Sequence, residues 1–399
     1  MSDIDDLDAL ADALNGAGSS SARRAKADSE GESATVSHKE DVATPASGDS
    51  RLDVWLRLLV ERKGSDLLLV AGEPPTIRIN GVLQRSATAP LDGIEIEELV
   101  VPILPPHAQK AYREHGIADA SRAIAGAGRF RINLHKERGR GAAVIRALPR
   151  RVPALSSLDL PPGTEVLAKL QRGLVLIGGS TGSGKSTTLA AIVDDINRRE
   201  AKHIITVEDP IEFEHTNQKS IIQQIEIGID APDFPTALRS ALRQAPDVLV
   251  VGEMRDAETM KIAMAAGETG HLVFSTLHTT DTASTVARIA DSFPAERQNT
   301  IRQEIAAALT AVFVQTLLPR IGGGRVPAAE LLMVSYGARA HIRRNALQHL
   351  HQEITLTRKN GSLSLEECLA RLVKAGVIEK AEALNRAIHP DDFEHALKP

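Results

Sequence analysis

Leu174-Val-Leu-Ile-Gly-Gly-Ser-Thr-Gly-Ser-Gly-Lys-Ser-Thr187 is the stretch that decides the fold. Its first four residues, Leu174 to Ile177, read as a short strand buried on both faces, and Leu189, Ile192, Val193 and Ile196 beyond it recur at helical spacing. Between them Gly179 to Ser186 fits G-x-x-x-x-G-K-[ST], a loop that cradles phosphates when it joins a strand to a helix. Gly179, Gly182 and Gly184 free the backbone to turn its N–H groups inward, and the helix that follows aims its positive end at the same point. Gly179, Ser180, Thr181, Gly182, Ser183, Gly184, Lys185, Ser186 and Thr187 are therefore expected to hold ATP. Lys185 is assigned to the β and γ phosphates, and the Ser186 hydroxyl to Mg²⁺.

Three further strands are expected at Ile204 to Val207, Val248 to Val251 and Leu272 to Phe274, alternating with helical stretches, which indicates a mostly parallel sheet covered on both faces. In such sheets ligands bind at the carboxyl ends of strands. Each end is polar here: Glu208-Asp209-Pro210-Ile211-Glu212 after the first, Gly252-Glu253-Met254-Arg255-Asp256 after the second, and Ser275-Thr276-Leu277-His278 after the third. One acidic residue after a strand is ordinarily a helix cap. Three polar clusters beside one phosphate loop supply what ATP hydrolysis needs, a carboxylate for water, another near the metal, and a group that senses the γ-phosphate.

Outward from this centre the chain divides. Residues 1–50 carry 11 acidic and 4 basic side chains and no aromatic residue, so a disordered acidic tail is expected, with Ile4, Leu7, Leu10 and Leu14 able to share one face of a short helix. Residues 51–152 read as a small α/β domain, with strands around Leu67 to Val70, Thr76 to Asn80, Arg129 to Leu134 and Ala142 to Leu148, and helices over Asp53 to Glu61 and Ile94 to Tyr112. Prolines at Pro149, Pro153, Pro161 and Pro162 mark the connection to a second domain over residues 156–399. From about residue 296 the period turns helical, through Ile301, Ile305, Leu309, Val312 and Thr316.

Net charge is −5 for the whole chain and +2 without the tail, and aromatic content is 3%, which disfavours nucleic acid as a partner. The acidic start and the lone Cys368 point to the cytoplasm, and a single cysteine leaves no four-cysteine zinc module.

ITVEDPIEFEH (Ile205 to His215) resembles the aspartate box of the secretion-superfamily ATPases, DVLVVGEMRD (Asp247 to Asp256) their atypical Walker B, and TGHLVFSTLHT (Thr269 to Thr279) their histidine box. With SDLLLVAGEPPTIRINGVL (Ser65 to Leu83) and RFRINLHKERGRGAAVIR (Arg129 to Arg146), the likeness is to the type IV pilus retraction branch, the PilT/PilU-like ATPases, over Arg51 to Phe393. The resemblance implies a RecA-like P-loop core behind a PAS-like amino-terminal α/β domain, a helical carboxy-terminal part, and a homohexameric ring with ATP between domains and subunits. It makes Glu212 the catalytic carboxylate, Glu253 the Walker B residue near Mg²⁺, and His271 and His278 the histidine-box residues. Arg129 and Arg131 are the arginines expected to neutralise charge on the γ-phosphate, with Arg239 and Arg243 as further candidates and Glu208 and Asp209 as alternative carboxylates. It also implies a machine at the inner face of the cytoplasmic membrane, held through an inner-membrane platform protein, either for pilus retraction or for a related assembly or secretion system. Three departures stand out: Leu68 replaces a frequent histidine, Ile225 an arginine, and Gly337 to Arg344 lacks the central asparagine and final glutamate of the branch's carboxy-terminal AIRNLIRE motif.

Overall fold

The computed structural model describes residues 50–398, so the expected tail helix of Ile4, Leu7, Leu10 and Leu14 lies outside the described residues. The chain forms two compact units that divide between Arg150 and Arg151.

The first unit opens with helix α1 (Arg51–Glu61), started by a capping box in which Ser50 Oγ accepts the Asp53 N–H and the Asp53 carboxylate accepts the Ser50 N–H, both at 3.2 Å. Six strands follow: β1 (Asp66–Leu69), β2 (Thr76–Ile79), β3 (Val82–Arg85), β4 (Ile117–Ile124), β5 (Gly128–Glu137) and β6 (Arg140–Ala147). They form one antiparallel sheet in the order β3-β2-β1-β6-β5-β4. On β5, Phe130, Ile132 and Leu134 enter the core and pack with Trp55 of α1, so Arg129 and Arg131, one register away, lie on the other face. The helical span expected over Ile94 to Tyr112 is two helices, α2 (Gly93–Val100) and α3 (Pro106–His115). Pro102, Pro105 and Pro106 break it, because each removes a backbone donor and restricts the residue before it.

The second unit is built on seven strands, β7 (Gly173–Gly178), β8 (His203–Glu208), β9 (Ile221–Glu226), β10 (Val248–Val251), β11 (Leu272–Leu277), β12 (Leu309–Pro319) and β13 (Arg325–Met333). Their order is β13-β12-β7-β11-β10-β8-β9, and only the β12–β13 pair is antiparallel. Alternate residues of β7 enter different cores: Leu174 and Leu176 join one, Val175 and Ile177 the other. The first core is covered by α5 (Phe234–Ala241), α6 (Ala257–Glu268), α7 (Thr282–Asp291), α8 (Gln298–Ala308), α9 (Tyr336–Arg343) and α10 (Leu350–Leu356). The second is covered by α4 (Lys185–Arg199), α11 (Leu365–Lys374), α12 (Lys380–Arg386) and α13 (Pro390–Leu397). Both faces of the sheet are dry, which is why its central strands are apolar at almost every position.

The helical reading from about residue 296 needs correction. Ile301 and Ile305 lie on α8, but Leu309, Val312 and Thr316 belong to β12, and the helical carboxy-terminal part begins at Tyr336. A strand buried on both faces has apolar residues at every spacing, including three and four, so the helical period is satisfied by accident. Neighbouring residues decide the matter: Val312 enters one core and Phe313 the other. Truncating either should therefore be costly, about 2 kcal/mol for Val312→Ala and about 3–5 kcal/mol for Phe313→Ala in urea unfolding. A neutral result for one of the two would mean that only one of these neighbours is buried, which would contradict a strand covered on both faces.

Candidate active site

The carboxyl ends of β7, β8, β10 and β11 lie along one edge of the second unit's sheet, since all four run parallel in matched register. β7 ends at Gly178, and the loop that follows turns through Gly179 at φ +147°, Gly182 at +79° and Gly184 at +89° before α4 begins at Lys185. A side chain on Gly179 would collide with Ser183 Oγ at 2.3 Å and the Gln315 carbonyl at 2.5 Å, so the loop closes on itself and on β12 only with glycine there. Lys185 is buried, and its Nζ donates to the carbonyls of Gly179 at 2.8 Å and Ser180 at 3.0 Å. Burial lowers its pKa, and the carboxylates of Glu253 and Glu212 oppose that shift.

Each neighbouring strand delivers its charge. Glu208, the last residue of β8, is half-buried and accepts hydrogen bonds from Thr206 Oγ1 at 2.7 Å and Gln224 Nε2 at 3.1 Å. Burial raises its pKa, these bonds and the Glu212 N–H counter the rise, and the Glu212 carboxylate adds to it. Glu212 itself is exposed. Gln224, on β9, also donates to the Phe213 carbonyl at 2.9 Å and accepts the His215 N–H at 2.8 Å, so one amide pins the loop that carries Glu212. Glu253 stands two residues past β10 and takes the Arg255 guanidinium at 2.6 Å, with His278 Nε2 at 3.9 Å. Thr276 Oγ1 donates to the Gly252 carbonyl at 2.6 Å and so holds the turn before Glu253. His278 follows β11 directly, where burial and then the Lys185 cation lower its pKa, with Glu253 opposing and Arg255 adding to the fall.

Lys185, Glu208, Glu212, Glu253 and His278 thus meet at one sheet edge, and Asp209 joins them by its field on Arg255. Ser186 and Thr187 occupy the first turn of α4, half-buried beside Lys185.

Other candidates lie elsewhere. His271 precedes β11 at the amino end of the sheet, its Nδ1 3.2 Å from the Ala266 carbonyl, so β11 separates it from His278. A motif that spans a strand places its two ends at opposite edges of the sheet. Arg239 on α5 is ion-paired with Glu258 on α6, and Arg243 is exposed beyond it. Arg129 and Arg131 belong to the first unit, where Arg131 stands 3.8 Å from Asp119. Asp256, at the end of the Walker B-like motif, caps α6 by accepting the Thr259 N–H at 2.8 Å. Ser275 and Thr276 fall inside β11, which runs three residues beyond the expected end. Gln224, Arg255, Thr276 and Gln315 are the residues that sequence reasoning left without a role. For Gln224, Thr276 and Gln315 the one signal is a polar side chain within a strand; Arg255 lies in the loop after β10.

These features define a doubly wound α/β unit whose glycine-rich loop joins β7 to α4 at the carboxyl edge of the sheet. Residues 140–382 match the family model described as "Type II/IV secretion system protein". The chain is 40% identical over 338 residues to the Pseudomonas aeruginosa protein named "Type IV pilus retractation ATPase PilT", covering 85% of this chain and 98% of that one. It is 41% identical over 315 residues to a Neisseria gonorrhoeae "Twitching motility protein", covering 78% and 84%. Among solved structures, the pilus retraction motor PilT with bound ADP superposes with a TM-score of 0.79 at 38% identity, covering 87% of this chain and all of that one. The chain belongs to the type II/IV secretion system protein family, and its fold is that of a secretion ATPase.

The electrostatic wiring of the site is measurable through His278. Its midpoint in histidine NMR should lie below 6.5, the neutral form being favoured. Lys185→Ala should move the midpoint up, because a cation that disfavours imidazolium is gone, and Glu253→Gln should move it down. Midpoints unmoved by both substitutions would separate His278 from the loop.

Proposed function

We propose that this chain is an ATP-hydrolysing motor that works as a homohexamer and retracts a type IV pilus through an inner-membrane platform protein. The observation that carries the chemistry is the single edge where Lys185, Glu212, Glu253 and His278 come together. Among the described residues no helix is long and apolar enough to cross a membrane, so membrane recruitment in this reading goes through partners at the cytoplasmic face. Residues 1–50 serve as an acidic tether, 51–152 as the amino-terminal PAS-like domain, and 156–399 as the ATPase domain.

In the proposed mechanism the loop from Gly179 to Thr187 binds the phosphates through backbone N–H groups, and Lys185 exchanges its two carbonyl partners for β and γ phosphate oxygens. Glu212, exposed and joined to the sheet by a loop that Gln224 pins, takes a proton from the attacking water. Glu208 supports it from a half-buried position. The oxygens of Ser186 and Glu253 suit a hard cation, and they would hold Mg²⁺, which supplies charge neutralisation on the phosphates. His278, held neutral, remains able to hydrogen-bond the γ-phosphate without adding a second cation beside Lys185. Arg129 and Arg131 supply positive charge to the γ-phosphate of a neighbouring subunit in the ring.

Purified protein should show Mg²⁺-dependent ATP turnover. Lys185→Ala should abolish it mainly through lost binding, while Glu212→Gln keeps nucleotide affinity and loses about 10²-fold or more in kcat. Normal turnover in Glu212→Gln would pass the catalytic role to Glu208 or Glu253.

Specific activity should also rise with protein concentration as rings assemble. Flat activity while sedimentation shows monomer becoming hexamer would remove the neighbour's arginines from the site. In cells lacking the chain, excess static pili are expected. Bald cells would indicate assembly, and normal pili would indicate secretion.

A further inference from the structure

β12 contributes one polar side chain to an otherwise apolar interior. Gln315 is only 4% exposed and stands one residue beyond Val314, the partner of Gly178 in the parallel β12–β7 register. Both ends of its amide are engaged. Nε2 donates to the Ser183 carbonyl at 2.7 Å, and Oε1 accepts the Thr188 hydroxyl at 2.7 Å. One side chain from a third element therefore bridges the phosphate loop and the first turns of α4. The packing is close: a Cβ on Gly184 would stand 2.8 Å from Gln315 Nε2.

The Ser183–Gly184 peptide is planar and trans, so its carbonyl and its N–H point in opposite directions. Holding the Ser183 carbonyl toward Gln315 turns the Gly184 N–H away from β12. The Ser183 carbonyl, which can only accept, fixes which end of the amide faces it, because a flipped amide would set two acceptors against each other with no proton between them; Oε1 is then left to accept the Thr188 hydroxyl.

We propose that Gln315 is a positioning residue for phosphate binding, which orients the Ser183–Gly184 peptide so that its N–H serves the nucleotide. This rests on reading the Gly179 to Thr187 loop as the nucleotide site. Because the loop binds ground state and transition state through the same N–H groups, loss of the orientation should raise KM and Kd while leaving kcat near the parent value.

Gln315→Glu, assayed at alkaline pH so that its carboxyl is ionised, keeps shape and the acceptor for Thr188 but replaces the donor with an acceptor facing the Ser183 carbonyl. In the full-length protein it should raise the Kd for fluorescent ADP and the KM for ATP about tenfold, with kcat at saturation within about twofold of the parent. Thr188→Val, which leaves Gln315 intact but unanchored, should raise both about threefold, and Thr188→Ser should restore them. Lys185→Ala in the same assay separates the two readings. If the parent binds ADP, Lys185→Ala does not, and Gln315→Glu binds like the parent, the positioning role is overturned while the site stands. If the parent binds no nucleotide, both fall. A lower melting temperature in Gln315→Glu with unchanged Kd and KM would mean a structural role and would overturn the proposal. Should Gln315→Glu not fold, Thr188→Val decides, an unchanged Kd overturning the role and a raised Kd rescued by Thr188→Ser supporting it.

Discussion

The constraint on which the rest depends is the shared parallel register of β12, β7, β11, β10 and β8, which brings their carboxyl ends to one edge. Parallel strands need crossovers, and here α4, α5, α6, α7 and α8 lie in the connections and cover both faces. The strands consequently carry almost no polar side chains until their ends, where the backbone leaves the sheet and water can reach polar groups. Chemistry concentrates at that edge because it is the first place along each strand where a charge is not fully desolvated.

At the edge the charges hold one another. Lys185 is buried far enough to lose basicity, and the charges of Glu253 and Glu212 oppose that loss. His278 shifts in the same direction: burial first, and then the Lys185 and Arg255 cations, disfavour its imidazolium form, with Glu253 opposing. Glu208, the half-buried last residue of β8, is pushed toward protonation, whereas Glu212 stands four residues on and is exposed. Two carboxyl groups close in sequence thereby stand in different surroundings, one hydrogen-bonded and partly withdrawn from water, the other open to it.

Much of this was legible in the chain. The phosphate loop could be read because its glycines, lysine and flanking strand and helix must all occur together, and the strand ends could be read because three polar clusters, each directly after an apolar run, seldom coincide by chance. Three features could not. β12 passes for helix, because burial on both faces erases the alternation that marks a strand. His271 and His278 belong to one motif yet sit at opposite edges, since a motif preserves order along the chain and not position in space. Gln224 and Gln315 act by bridging elements distant in sequence, as with Gln315 and Ser183, and no local pattern reports a hydrogen bond across such a span. Arg239, a further candidate for the phosphate, has Glu258 as its partner in the structure.

Two loop carbonyls hold the Lys185 ammonium at the mouth of the β7–α4 loop, within the field of two carboxylates, where it can be handed to phosphate. A crystal structure with a non-hydrolysable ATP analogue tests that transfer most directly. The account predicts that Lys185 Nζ leaves the Gly179 and Ser180 carbonyls, now 2.8 and 3.0 Å away, and comes within hydrogen-bond distance of the β and γ phosphates. Nucleotide bound with Lys185 still on those carbonyls, or bound away from the Gly179 to Thr187 loop, would contradict it.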